Sequence, residues 1–311
     1  LLELTVSIPP NHTPGTLEFS YAEPDPYTQF TMAARHRFEK TSDFDARLQD
    51  EVRSFPRNER DVIVFVHGFN STQAETVFRA AQLTYDLETP GATVIYSWPS
   101  LGSPLGYAYD ADSILFARDG LENLLRHLKK AGANRIVLVA HSMGSMLAME
   151  TLRQIEIKSP NWSERNLGGV VLMSPDLDID VFRSQMRRFE KVPQPFLVLV
   201  SRKDTILNLS RRIRDYRCRE RLGSLSSLDL VSDMPIDISD TTQFSNNAES
   251  GHFVAATSPA LLSLFNSARE TAEAFQKGNA KLSVNDFLPG TILRTGQVTG
   301  VSVTPVATLR R

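Results

Sequence analysis

Ser142, His252 and two aspartates, Asp204 and Asp176, are the residues whose types and placing could do chemistry. A serine hydroxyl is a poor nucleophile until a base takes its proton, and the base needs a carboxylate to fix its tautomer and stabilise its cation. Ser142 as nucleophile, Asp204 as carboxylate and His252 as base fill those roles in that chain order, with Asp176 the alternative acid. Ser142 sits in Ala140-His141-Ser142-Met143-Gly144, the Gly-x-Ser-x-Gly pattern with alanine in the first place. Five letters recur by chance, so the setting carries the weight. Residues 136–139 (Ile-Val-Leu-Val) are a run without alternation, as expected of a strand buried on both faces. Met146, Met149, Leu152 and Ile155 follow at helical spacing, with Glu150 and Arg153 on the other side. A serine between such a strand and such a helix must occupy a tight turn, for which Ala140 and Gly144 are small enough. The competing role for it is to close that turn by hydrogen bonding.

The elements that would position these groups alternate along the chain. Buried-strand runs are expected at 62–66, 93–96, 169–173 and 196–200, and a last strand at 228–238. Helices are expected after Thr72, where Glu75 completes a capping-box spacing, and at 112–130, 180–190, 207–221 and 259–275. The 112–130 helix would bury Ile114, Leu115, Leu121, Leu124, Leu125 and Leu128. This alternation predicts an α/β fold with a mostly parallel, doubly wound sheet. Reactive groups in such a sheet gather at the carboxyl ends of the strands, where His67, Ser142, Asp176 and Asp204 all fall. Asp178 and Asp180 read as caps of the next helix. Leu2, Leu4, Val6 and Ile8 alternate with polar residues, and residues 29–38 form a second candidate strand, so residues 1–60 are expected to supply N-terminal edge strands and loops of the same domain. Residues 61–278 form the core, and 279–311 an extended or poorly ordered C-terminal extension.

Composition excludes several classes. With 34 basic and 36 acidic residues among 311, no charge excess points to nucleic acid. No apolar run is long enough to span a bilayer. The single cysteine, Cys218, excludes an internal disulfide framework and a cysteine-built metal site, and no His-x-x-x-His spacing appears; neither metal nor cofactor is expected. The chain opens on Leu1, so its natural start is expected to have been removed, perforce leaving localisation open. Composition does not address oligomeric state.

The Ser, Asp, His order, the turn at 140–144 and the upstream Val66-His67-Gly68-Phe69 resemble the α/β-hydrolase superfamily over roughly residues 61–274. Together with residues 96–100 (Tyr-Ser-Trp-Pro-Ser) and 178–182 (Asp-Ile-Asp-Val-Phe), they are similar to a bacterial group within it catalogued mainly as a domain of unknown function. The resemblance implies a serine hydrolase without cofactor, acting on a small-molecule ester or other acyl substrate of short or medium chain. It also implies an oxyanion hole built from the backbone N–H groups of Phe69 and Met143. The interval 176–195 leaves room for one helix, hence a minimal lid. His67, Trp98, Tyr107 and His141 are candidate pocket residues, although Trp98 and Tyr107 could equally pack the loop they belong to. The crowded arginines of 211–221 read as a solvated face. A catalytically silent binding or scaffolding protein is the alternative reading of the same motifs.

Overall fold

A computed structural model describes residues 1–20, 23–88, 91–207, 221–224, 228–242 and 292–294. His252, residues 208–220 of the expected 207–221 helix and the whole expected 259–275 helix lie outside the described residues.

The chain order is β1 (Leu2–Ser7), β2 (Thr31–Arg37), α1 (Thr41–Ser54), β3 (Val62–Val66), α2 (Gln73–Asp86), β4 (Ala92–Tyr96), α3 (Tyr107–Ala131), β5 (Ile136–His141), α4 (Met143–Lys158), α5 (Trp162–Asn166), β6 (Leu167–Met173), α6 (Ile179–Met186), β7 (Phe196–Val200), β8 (Asp237–Asp240) and β9 (Ile292–Arg294). The main sheet runs β4-β3-β5-β6-β7-β8-β9, parallel throughout except for the antiparallel β8–β9 pair. The central strands are apolar because helices cover both faces. Val64, Leu138, Leu172 and Val198 are buried in one core with Leu121 and Leu125 of α3 and Leu147 and Leu152 of α4.

Register brings the working ends together. Val66 pairs with Tyr96 and with Ala140, His141 with Met173, and Val200 with Asp240, so the loops that follow all leave the same edge of the sheet. The expected capping box forms at Thr72 and Glu75 and starts α2 directly behind the loop after β3. Only α6 stands between β6 and β7, capped by Asp178, whose carboxylate accepts from the amides of Asp180 and Val181.

Four expectations differ from the structure. α3 begins at Tyr107 rather than at 112, and its buried stripe takes Ser113 and Ala117 beside Ile114 while Leu115 is 48% exposed, because Leu115 lies about 100° round the helix from Ile114. A helix, α1, occupies part of the N-terminal segment expected to hold strands and loops; it buries Leu48 and Val52, one turn apart. β1 and β2, expected as edge strands, pair antiparallel in a sheet of their own rather than along the main sheet. The 228–238 strand is instead a short 3₁₀ turn, Leu228–Val231, followed by β8 from Asp237, since Pro235 lacks the N–H a ladder needs.

His12 ties the N-terminal segment to the end of α2. Its side chain is 3% exposed, with Nδ1 2.8 Å from the Glu18 carboxylate and Nε2 2.7 Å from that of Asp86, and its ring lies edge-on to Phe30. Burial works to raise the Glu18 carboxyl, but bonds from Thr16, His12 and the Thr13 amide hold it down at about 2. Breaking a buried pair strands its remaining charge. His12→Ala is therefore expected to lower the unfolding free energy by about 3 kcal/mol in chemical denaturation, with the fold otherwise retained.

Candidate active site

Ser142 joins β5 to α4 at φ 53° and ψ −123°, a backbone region that L residues with a Cβ avoid. Such a residue costs roughly 1–3 kcal/mol and persists only when its surroundings over-determine it. Here they do. The Ser142 amide donates to the Met173 carbonyl at 2.9 Å, and the Ser142 carbonyl accepts from the amides of Ser145 at 3.0 Å and Asp176 at 3.1 Å. Ser145 Oγ donates to the Ala140 carbonyl at 3.1 Å. Although Ser142 is the N-cap of α4, its side chain makes no capping hydrogen bond, so the hydroxyl is not what closes the turn.

Close backbone approach explains the glycines. A Cβ on Gly144 would stand 2.3 Å from the His67 carbonyl oxygen and 2.8 Å from that of Val66. A Cβ on Gly68 would stand 2.7 Å from His141 Nδ1 and 2.8 Å from Ser142 Cβ. The loop after β3 thus lies directly against the serine. Met143 opens α4, and the first amides of a helix have no partner within it and carry the positive end of its dipole. Phe69 lies in the abutting loop, beside Asn70 at φ 54°.

His67 is bound into that loop. It is 3% exposed and stacks on Trp98 with ring centroids 4.9 Å apart at 3°. Trp98 Nε1 donates to the His67 carbonyl at 2.8 Å. Burial pushes the imidazole below its ordinary range, against the opposing pull of the Gly68 and Trp98 carbonyls and Asp110. Nδ1 lies 2.9 Å from the Gly68 carbonyl oxygen, and Nε2 lies 3.1 Å from both the carbonyl oxygen and the amide of Trp98. Trp98, 2% exposed, and Tyr107, 7% exposed, pack the loops, and His141, 2% exposed, ends β5.

The two aspartates sit in different surroundings. Asp204 is fully buried just past β7, and its Oδ1 accepts from the Leu207 amide at 2.9 Å. Asp176, past β6, is 2% exposed; its Oδ2 accepts from the Tyr107 hydroxyl at 2.7 Å and its Oδ1 lies 3.3 Å from Arg221 Nε. Sequence reading missed this network because Tyr107 and Asp176 are 69 residues apart and nothing local marks the pairing. Among the described residues no group of three or more His, Cys, Asp or Glu could hold a metal ion, and no helix is long and apolar enough to cross a membrane. A groove of about 1090 Å³ lies elsewhere, lined by Leu4, Phe44, Val94 and Leu124 among others, and Ser142 is not in its wall.

A parallel sheet delivering a strained serine between strand and helix defines the α/β-hydrolase fold. The chain belongs to the family described as alpha/beta hydrolase of unknown function (DUF900), whose model matches residues 40–269. Among solved structures it is similar to an esterase from Pyrobaculum calidifontis (12% identity, 70% of this chain and 77% of that chain, TM-score 0.38). It is also similar to a predicted CIB-like hydrolase from Thermoplasma acidophilum (18% identity, 72% and 89%, TM-score 0.41) and to dienelactone hydrolase from Anabaena variabilis (14% identity, 70% and 86%, TM-score 0.41). A comparison with the curated proteins returned no match.

Two outcomes test the site's construction. Gly144→Ala is expected to yield a protein that is strongly destabilised or fails to fold, since the displaced neighbour is backbone rather than a flexible side chain. For His67, the unfolded chain binds a proton at higher pH than the folded one, so folded stability should fall as pH drops below about 6.5. That slope, from denaturant titrations at successive pH values, should be shallower in His67→Gln.

Proposed function

We propose that the protein is a serine hydrolase, most simply a carboxylic ester hydrolase acting on small acyl substrates through an acyl-enzyme. The observation that supports this best is the bend at Ser142: a costly backbone conformation presents a hydroxyl that caps nothing, beside a loop and a helix start that offer backbone amides. In this reading Ser142 Oγ attacks the substrate carbonyl while His252 takes its proton. The developing oxyanion is met by the amides of Phe69 and Met143, whose loss would cost about two to three orders of magnitude each. His252 then gives its proton to the leaving alcohol, and water activated by the same imidazole releases the acid. His252 enters through its place in the chain order, beyond the described residues.

Asp204 is the proposed acid. Asp176 Oδ2 already accepts from the Tyr107 hydroxyl and its Oδ1 stands in an ion pair 3.3 Å from Arg221 Nε, which supports giving the role to Asp204. Thioesters and amides use the same machinery.

A fluorophosphonate probe should label the folded wild type and fail to label Ser142→Ala. No labelling of the wild type, or equal labelling of the variant, would overturn the hydrolase reading in favour of a silent binding module. Asp204→Asn is expected to lower turnover of a p-nitrophenyl ester by on the order of 10⁴, far more than Asp176→Asn does; the reverse order would move the acid to Asp176.

A further inference from the structure

The strand ends that surround Ser142 are joined by one side chain that no catalytic role requires. Tyr107, at the first turn of α3, lies edge-on to Phe69 with ring centroids 5.3 Å apart at 64°. Its hydroxyl donates to Asp176 at 2.7 Å, and the Asp176 amide in turn donates to the Ser142 carbonyl at 3.1 Å. One residue therefore touches the loop after β3, through its ring, and the elbow after β5, through a single intervening aspartate.

The aspartate is itself pinned. Arg221, 4% exposed, faces its Oδ1 at 3.3 Å and stands at the head of a short stretch laid across the ends of β6 and β7. In that stretch the Leu222 amide donates to the Leu177 carbonyl at 2.8 Å, the Gly223 amide to the Pro175 carbonyl at 2.9 Å, and the Gly223 carbonyl accepts from the Ser201 amide at 2.9 Å. A Cβ on Gly223 would stand 2.7 Å from backbone atoms of Ser174 and Pro175, so the stretch is pressed onto the strand ends. A carboxylate this buried is costly unless its partners stay in place, which makes the arrangement stiff.

We infer that Tyr107 is a positioning residue: braced by Asp176 and Arg221, it fixes the Phe69 loop at one distance from the Ser142 elbow and so sets the geometry of the oxyanion donors. This rests on Ser142 being the nucleophile. Deleting the hydroxyl leaves the ring free to shift with Phe69, and misplacement of a donor by a fraction of an ångström acts on the transition state rather than on bound substrate.

Tyr107→Phe keeps the ring and loses the bond. With a p-nitrophenyl ester its kcat is expected to fall about tenfold while KM stays within about twofold, the signature of an interaction made in the transition state. Phosphonylation of Ser142 should slow by a similar factor. Because one brace is being removed twice, Asp176→Asn should cost less in the Tyr107→Phe background than in the wild type. Unchanged kcat, or a loss confined to KM, would overturn the inference, as would full additivity of the two substitutions. Hydrogen exchange at the Phe69 amide is read whether or not the protein turns over, and should be faster in Tyr107→Phe. Unchanged exchange overturns the brace even if Ser142 is labelled; a wild type that resists labelling overturns the serine reading while exchange still decides the brace.

Discussion

The bend at Ser142 depends on three backbone hydrogen bonds, and the surrounding site depends on the bend. A residue at φ 53° relaxes unless something forbids it. The Ser142 amide is held by β6 and its carbonyl by Asp176 beyond β6, bonds that the parallel β5–β6 register pairing His141 with Met173 allows, while Ser145 of α4 donates to the same carbonyl from within the turn. Sheet, turn and helix start therefore fix one another. The side chain makes no capping bond in this arrangement.

Close packing propagates the constraint outward. Gly144 lies against the His67 carbonyl and Gly68 against Ser142, so the loop after β3 has no room to drift toward the serine, while stacking on Trp98 keeps it from drifting away. The imidazole of His67 is buried in this loop, bonded to Gly68 and Trp98. Two buried aspartates lie at neighbouring strand ends. Asp176 meets the Tyr107 hydroxyl and the Arg221 guanidinium, and Asp204 accepts from the Leu207 amide.

Local patterns made the central part of this legible in the sequence. The unbroken apolar run of β5, the small residues around Ser142 and the Thr72–Glu75 capping box each carry their meaning within a few residues, and each takes the expected form. What was not legible depends on distance or competition. Residues 228–238 read as one strand, yet Leu228–Val231 form a 3₁₀ turn and the strand starts only at Asp237, beyond Pro235, which has no N–H to give a ladder. α3 starts early because Asp110 in its first turn binds back to Ser100 and Leu101, a loop contact that no helical period reveals. The bond from Tyr107 to Asp176 and the stacking of His67 on Trp98 join separate loops that only the closed sheet brings together.

The central claim is that Ser142 carries the acyl group during turnover. Mixing the protein with excess p-nitrophenyl ester, quenching in acid within the first turnover and mapping peptides by mass spectrometry tests it directly. The account predicts a burst of nitrophenol stoichiometric with protein and an acyl mass increment on the peptide containing Ser142. Turnover without any adduct, or an adduct confined to another residue, would contradict it.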